Sequence, residues 1–258
     1  MPRPWATVAE ADAWIVPDWP APATVRALVT TRAGGVSRGA HAHCNLADHV
    51  GDDPAAVAAN RDRLAAALAG AGPILWLRQV HGSAVASAAA AAPGTSADAA
   101  WCDRPGPVCA VLTADCLPVL LCDRDGTRVA AAHAGWRGLA GGVLEATVAA
   151  LGVAPERLLA WFGPAIGPAA YEVDATVRDA FVVPDPASAA AFVATRPGHW
   201  QADLYQLARR RLARLGLTAV HGGGLCTASA ADRFYSYRRD GVTGRMASLV
   251  WLTGADAG

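Results

Sequence analysis

The segment 108–142 constrains the fold more than any other part of this sequence. Two apolar runs in it are interrupted at Asp115 and Cys116, and a third run ends at His133, where glycines and a helix-like pattern begin. Short apolar runs bounded by turn signals predict buried strands. An acid, a thiol and an imidazole thereby lie at strand ends, where a scaffold can hold side chains rigidly around a cleft. The segment therefore predicts an active site built on central strands.

The remaining apolar and helical patterns predict an α+β domain. Strands are expected at 25–31, 74–80, 158–162 and 246–252, so that strands lie at both ends and in the middle of the chain. Few long helices separate them, and no linker divides the sequence. This distribution favours a single α+β domain over residues 1–258 rather than a strictly alternating parallel sheet.

Helices are predicted where capping residues precede helical spacing. One follows the capping acid Asp53, one spans 139–151, and one begins after Asp203 with leucines on one face. The stretch 86–100 is rich in alanine, serine and threonine and predicts a loop around an alanine-rich strand edge. Prolines 184, 186 and 197 predict short helices and loops.

Composition and charge exclude several classes of protein. The 258 residues carry 22 basic and 22 acidic side chains, so no basic footprint for nucleic acid is present. The hydrophobic share of 53% owes much to alanine, and no run has the 18 apolar residues of a membrane span. Six cysteines without CxxC pairs predict reduced thiols, and the first residues show no secretory pattern. We therefore expect a cytoplasmic protein without nucleic-acid or membrane partners, as a monomer or small homo-oligomer.

Three residues at the ends of apolar runs suggest a metal site. His81, Cys116 and His133 are spaced by 35 and 17 residues. Zinc accepts imidazole and thiolate together, and three protein ligands leave a fourth position for water or substrate. Two other interpretations use the same atoms. Cys116 is a nucleophile activated by His133 or His81, with Asp115 orienting the imidazole, or it is a structural thiol among packed histidines.

Two glycine-rich segments are candidates for binding an anion. HAGWRG at 133–138 predicts a strand-to-helix turn that exposes backbone N–H groups beside Arg137. RAGGVS at 32–37 predicts a flexible loop with Arg32 and hydroxyl groups. Either segment suits a phosphate or a carboxylate near the metal.

A series of motifs in order along the chain resembles one family. The motifs are TTRAGGVS at 30–37, NL at 45–46, HVGDDP at 49–54, NR at 60–61, QVHG at 79–82, TADCLP at 113–118, HAGWRG at 133–138, GPAIG at 163–167, CT at 226–227, SYRRD at 236–240 and TGRM at 243–246. They are similar to the YfiH-like, laccase-domain family, and the resemblance runs in order from about residue 25 to 252. Members of this family carry the labels polyphenol oxidase, purine nucleoside phosphorylase and peptidoglycan editing factor.

The resemblance implies a fold, a cofactor and an activity. The fold is four layers, α/β/β/α, with mixed sheets, as in cysteine hydrolases of the cytotoxic necrotizing factor type. The cofactor is zinc, with copper as the alternative, on His81, Cys116 and His133. The implied activity is phosphorolysis of adenosine, inosine, guanosine and methylthioadenosine to a free base and a ribose 1-phosphate, with adenosine deamination beside it.

Residues in the matching motifs are the candidates for these roles. Cys116 and Asp115 are expected to be catalytic, and four residues are expected to bind nucleoside or phosphate: Arg32, Asn45, Gln79 and Arg137. Glu172, which lies outside the motifs, is a candidate for proton transfer. Two other activities remain open, a cysteine hydrolase or peptidoglycan-precursor editing factor, and a copper-dependent polyphenol oxidase. The oxidase is disfavoured because the chain has seven histidines and no His-Cys-His motif.

Overall fold

The computed structural model describes residues 14–68 and 71–254. The first residues, on which the expectation of no secretory segment rests, lie outside this range. The strands are β1 (Val25–Val29), β2 (Ile74–Leu75), β3 (Val85–Ser87), β4 (Ala99–Cys102), β5 (Val108–Thr113), β6 (Leu117–Asp123), β7 (Val129–Ala134), β8 (Leu158–Phe162), β9 (Glu172–Asp174), β10 (Phe192–Arg196), β11 (His199–Ala202), β12 (Val220–Gly222) and β13 (Met246–Leu252). The α-helices are α1 (Pro54–Ala67), α2 (Trp136–Ala140), α3 (Val143–Leu151), α4 (Ala175–Val182), α5 (Leu204–Arg214) and α6 (Tyr237–Asp240).

The strands form three sheets. A four-stranded sheet has the order β1-β13-β5-β2, in which β13 lies between β1 and β5 and is antiparallel to both. A six-stranded sheet has the order β12-β8-β6-β7-β4-β3 and mixes parallel and antiparallel pairs. A small antiparallel sheet has the order β10-β11-β9. The chain passes from the four-stranded to the six-stranded sheet between β5 and β6.

The two larger sheets pack face to face with helices outside. Successive side chains of β5 and β6 point to opposite faces of their sheets and so pack into different layers of the protein, as expected for strands with a side-chain period of two. Cys109 of β5 and Leu120 of β6 enter the apolar core between the sheets. Ala110 packs toward α1, and Leu121 packs toward α3 and α5. The result is the four-layer α/β/β/α arrangement with mixed sheets, which confirms the predicted fold class.

Several predicted elements differ from those observed. The strand predicted at 74–80 stops at Leu75, because Trp76 and Arg78 pair through their backbones with residues 94 and 95 instead of with a sheet strand. The loop predicted at 86–100 contains the ends of β3 and β4. The helix predicted at 139–151 is split into α2 and α3 by Gly142, whose φ of 91° is left-handed.

The proline-rich stretch is also more regular than predicted. Residues 192–202 form the hairpin β10–β11, whose two-residue turn is Pro197 and Gly198, and Gly198 has a φ of 74°.

All six cysteines are free thiols, as predicted. Within residues 14–68 and 71–254, none of the helices combines the length and apolar character that crossing a membrane requires.

Candidate metal and anion-binding site

A cavity of about 540 Å³ lies at the crossing between the two larger sheets. Its lining includes Cys116 from the β5–β6 bend, His133 from β7 and His81 from the turn at 79–82. Three arginines and three large aromatic side chains also line it: Arg137, Arg238, Arg245, Trp136, Tyr171 and Tyr237. The volume is typical of a pocket for a small molecule.

The local backbone brings the three predicted ligands together. Cys116 lies in the bend where the chain changes sheets, directly after Asp115, whose φ is 89°. His133 is on β7 opposite Pro118 of β6, two residues beyond Cys116. His81 has a φ of 59° in its turn. Gly135 fits closely here, because a Cβ on it would meet the Cys116 Sγ atom at 2.8 Å.

The cluster of His81, Cys116 and His133 has the donor set of a metal site. One ligand atom from each of these residues lies within 4.8 Å of the others. The Cys116 Sγ atom is 3.9 Å from His81 Nε2, and the two imidazole rings meet edge to face with centroids 4.8 Å apart. Two imidazoles and a thiolate are donors that zinc and copper accept. The residues present therefore fit a bound metal ion.

Asp98 holds both histidines of the cluster. Its carboxylate is fully buried and accepts a hydrogen bond from His133 Nδ1 at 2.8 Å. It also accepts the backbone N–H groups of Val80, His81 and Gly82 at 3.1, 2.9 and 2.7 Å. Bonding Nδ1 of His133 leaves Nε2 for the cluster, which is the outer-shell arrangement common at metal sites.

Asp98, and not Asp115, is the carboxylate that orients the imidazole of His133. The prediction that Asp115 orients an imidazole is wrong, because its carboxylate accepts hydrogen bonds from Thr227 Oγ1 at 2.6 Å, Ser236 Oγ at 3.0 Å and the backbone N–H of Arg238 at 2.6 Å. Asp115 thus connects the sheet crossing to the segment that carries Tyr237 and Arg238.

Electrostatics favour a thiolate beside an imidazolium in the metal-free protein. Burial raises the pKa of the Cys116 thiol, but the charge of His133 and hydrogen bonds from His133 and His81 outweigh it and lower the pKa to about 6. Burial lowers the pKa of His133, but the Cys116 thiolate and the hydrogen bond to Asp98 outweigh it and raise the pKa to about 9. The thiolate is the form that binds a metal or acts as a nucleophile.

Three arginines line the cavity without an ion-pair partner in the part of the chain that the structure describes, and the one carboxylate in this lining is that of Asp115. None of Arg137, Arg238 and Arg245 forms an ion pair with a carboxylate of the described residues. Arg137 stacks over Trp136, and Arg238 stacks over Tyr171. Arg245 is partly buried and donates to the carbonyl groups of residues 243 and 244. Such a cavity suits an anion.

Two of the four predicted binding residues line the cavity. Arg137 does so directly, and Gln79 does so while its amide exchanges two hydrogen bonds with the backbone of Leu112. The structure does not bring Arg32 or Asn45 into the cavity. Arg32 donates to the carbonyl groups of residues 42 and 231. Asn45 is fully buried, donates to Asp52 and accepts the backbone N–H of Arg245.

Glu172 also lies outside the cavity, in a neighbouring depression. Its carboxylate accepts hydrogen bonds from Thr195 and Arg196 at 2.8 Å each. It is therefore held by the β9–β11 sheet and is not in a position to transfer a proton at the cluster.

Five residues of the site were not predicted from the sequence: Asp98, Tyr171, Tyr237, Arg238 and Arg245. The last three lie in the SYRRD and TGRM motifs, which were the sequence signal that could have identified them.

Comparison with known families gives a match over nearly the whole chain. The family model described as multi-copper polyphenol oxidoreductase laccase matches residues 26–253. A purine nucleoside phosphorylase of Pseudomonas aeruginosa is 59% identical over 242 residues, which cover 93% of this chain and 99% of that protein. The purine nucleoside phosphorylase YfiH of Escherichia coli K12 is 52% identical, over 92% of this chain and 98% of that protein.

Solved structures give the same result. A crystal structure of a Neisseria meningitidis protein has a TM-score of 0.91 and 54% identity, covering 93% of this chain and 99% of that one. The crystal structure of YlmD from Geobacillus stearothermophilus has a TM-score of 0.83 and 33% identity, covering 90% of this chain and 93% of that one.

Proposed function

This chain belongs to the YfiH-like laccase-domain family, and from that premise we propose that it is a purine nucleoside phosphorylase. Its substrates are adenosine, inosine, guanosine and methylthioadenosine, which it cleaves with phosphate to a free base and a ribose 1-phosphate. Relatives named as purine nucleoside phosphorylases support this reaction. The observation that carries it is one cavity that combines unpaired guanidinium groups, aromatic rings and the His81, Cys116 and His133 cluster.

Phosphorolysis makes two demands on a protein, and the cavity has groups for both. Phosphate must be held against C1′ of the ribose, and the departing purine must be stabilised as electrons move onto it. Guanidinium groups in the cavity suit the first, because they give several N–H donors and a fixed positive charge. Aromatic faces at Trp136 and Tyr237 suit the flat purine.

The ligand set supports zinc, with copper as the alternative metal. His81, Cys116 and His133 would hold the ion, and Asp98 would keep the His133 ring in the required tautomer. When bound, zinc supplies a Lewis acid that polarises an oxygen or nitrogen of the substrate. We include adenosine deamination as a side activity at the same cluster.

The other polar residues hold the geometry. Asp98 fixes the turn at 79–82, so that His81 faces Cys116. Gln79 clamps the end of β5 through Leu112. Asp115 fixes the start of α6, because it binds Ser236 and the backbone of Arg238. These contacts reduce the motion of the cluster and of the cationic wall relative to the substrate.

Chromatography of nucleosides tests the proposal. Purified zinc-loaded protein is incubated with adenosine or inosine, with and without inorganic phosphate, and the products are separated. Free base that appears only with phosphate is expected, and inosine from adenosine without phosphate would add the deaminase. Cys116→Ala should abolish turnover, whereas Cys226→Ala, which changes another half-buried thiol outside the cavity lining, should not. Absence of turnover by the zinc-loaded protein would contradict the proposal.

A second candidate function is a cysteine hydrolase that acts on peptidoglycan precursors. The lowered pKa of Cys116, its contact with His133 and the bond from His133 to Asp98 favour it, because they resemble an activated nucleophile with an oriented base. Activity that survives removal of the metal but is lost to iodoacetamide would select this function. Activity that is lost with the metal would select the first.

A further inference from the structure

Tyr171 has a hydroxyl group that the protein leaves unpaired. The residue is 8% exposed and lines the cavity, yet its hydroxyl has no hydrogen-bond partner among the described residues. The two other buried tyrosines differ. The Tyr205 hydroxyl binds the backbone at residues 163, 165 and 225, and the Tyr235 hydroxyl donates to the carbonyl group of His41 at 2.7 Å. The Tyr171 hydroxyl is therefore free to donate a hydrogen bond to a ligand in the cavity.

Two guanidinium groups act on the same hydroxyl. The guanidinium carbon of Arg238 lies 5.2 Å from the centre of the Tyr171 ring. Burial raises the pKa of Tyr171, and the positive charges of Arg238 and Arg137 oppose that rise without reversing it. Tyr171 is therefore a neutral donor at physiological pH, with two cations close enough to affect its ionisation. Cys116 lines the same cavity, so this group of donors adjoins the cluster.

The carboxylates near these donors are already used. Asp115 receives three hydrogen bonds, two from Thr227 and Ser236 and one from the backbone of Arg238. Glu172 is paired with Arg196, and only its backbone carbonyl meets Arg238. Among the described residues, neither carboxylate forms an ion pair with Arg137 or Arg238, although Asp115 also lines the cavity. The ligand that these donors fit is therefore an anion with several acceptor oxygens.

We propose that Arg137, Tyr171 and Arg238 form the subsite for inorganic phosphate. This inference rests on the proposed phosphorylase function and assigns the phosphate to one wall of the cavity. Phosphate at neutral pH carries one to two negative charges and accepts from all three groups, whereas a purine offers a mixture of donors and acceptors. The subsite replaces Arg32, which the backbone carbonyl groups of residues 42 and 231 occupy.

Three variants of the zinc-loaded protein test the subsite: Tyr171→Phe, Arg238→Met and Arg137→Met. Tyr171→Phe removes only an oxygen that has no protein partner, so it should leave thermal unfolding unchanged. Arg178→Met is the matched control, because Arg178 also stacks on an aromatic ring, that of Trp200 at 5.0 Å, but does not line the cavity. Binding of inorganic phosphate is measured by calorimetry, and KM values for phosphate and inosine are measured separately.

We expect Tyr171→Phe, Arg238→Met and Arg137→Met each to weaken phosphate binding and raise the KM for phosphate by about 10-fold or more, as for a lost hydrogen bond to a charged group. The KM for inosine and the behaviour of Arg178→Met should stay near the wild-type values. Unchanged phosphate affinity in any one of the three variants, or an effect confined to inosine, would overturn the subsite.

The two measurements keep the subsite and the phosphorylase function distinct. If the wild type does not turn over nucleosides, the phosphorylase function fails, and the calorimetric titration alone decides the subsite. In that titration, weaker phosphate binding by the variants supports the subsite, and absence of phosphate binding by the wild type overturns it.

Discussion

Asp98→Asn is the substitution that most directly tests how the cluster is held. The carboxylate Oδ1 atom accepts from His133 Nδ1 and from the backbone of His81, and Oδ2 accepts from the backbone of Val80 and Gly82. An asparagine has one acceptor oxygen, so its NH₂ group faces either the N–H groups of Val80 and Gly82, or that of His81 together with a His133 Nδ1 that must first give up its proton. Two hydrogen bonds to a charged group contribute about 3–6 kcal/mol, and we expect the free energy of unfolding to fall by that order.

The same substitution should weaken metal binding. Removing an outer partner of a ligating histidine typically costs about 10- to 100-fold in metal affinity. Here the loss also frees the turn that carries His81, so the upper part of that range is expected. Zinc affinity is measured by competition with a chromophoric chelator, and stability by urea unfolding of the metal-free protein.

Asp123→Asn is the matched control for this experiment. Asp123 is buried and accepts from the backbone of Thr127 and Arg128 and from the Thr127 hydroxyl. Its substitute can keep its oxygen toward the two backbone donors and donate to the hydroxyl, so a loss of about 1–2 kcal/mol and unchanged zinc affinity are expected. Zinc affinity in Asp98→Asn equal to that of the wild type would refute the role given to Asp98.

Three further predictions follow from other parts of the structure. Gly135→Ala should lower zinc affinity and turnover sharply, because its Cβ would lie 2.8 Å from Cys116 Sγ and 3.0 Å from His81 Cδ2. Gly254→Ala is the control, because a Cβ there meets nothing within 4 Å, and it should behave as wild type in the chelator competition and the nucleoside assay. Iodoacetamide followed by mass spectrometry should label the half-buried Cys116 and Cys226 before the four buried cysteines, and zinc should protect Cys116 alone; protection of both or neither would contradict the cluster. Burial would raise the pKa of Asp52, but hydrogen bonds from Ser37 and Asn45 outweigh it, so the folded-state pKa is below 3.8. The stabilising contribution of Asp52 is therefore present above pH 3.8 and is lost as the pH falls through the folded-state pKa. The difference in unfolding free energy between wild type and Asp52→Asn should accordingly shrink below pH 3.8 and stay constant above it.

The ligands of the cluster could be predicted from the sequence because buried strands leave a regular pattern of apolar residues in it. An apolar run that ends on His133, and another that resumes after Cys116, place these residues near the same edge when the strands pair, and the observed register puts His133 opposite Pro118. His81 was found as the residue that ends the apolar run 74–80, although its strand is shorter than predicted. Here the turn geometry, not the strand, positions the side chain.

The residues that support the cluster were not accessible in this way. Asp98 follows a stretch of alanine, serine and threonine without periodicity, and its role depends on backbone N–H groups that lie 16 to 18 residues away. Tyr171 follows a single turn of 3₁₀-helix, Pro168–Ala170, and its unpaired hydroxyl depends on which side chains other segments bring near it. Such contacts are decided by tertiary packing, which local pattern does not encode.

The position of β13 in the four-stranded sheet has a consequence for synthesis on the ribosome. This strand, Met246–Leu252, separates β1 from β5, so the first strand of the sheet has no neighbour in it until the last one has been made. During translation the apolar faces of β1 and β5 lack the strand that joins them, and unpaired strand edges of this kind are prone to aggregate. Residue 252 must therefore emerge before the four-stranded sheet can be completed.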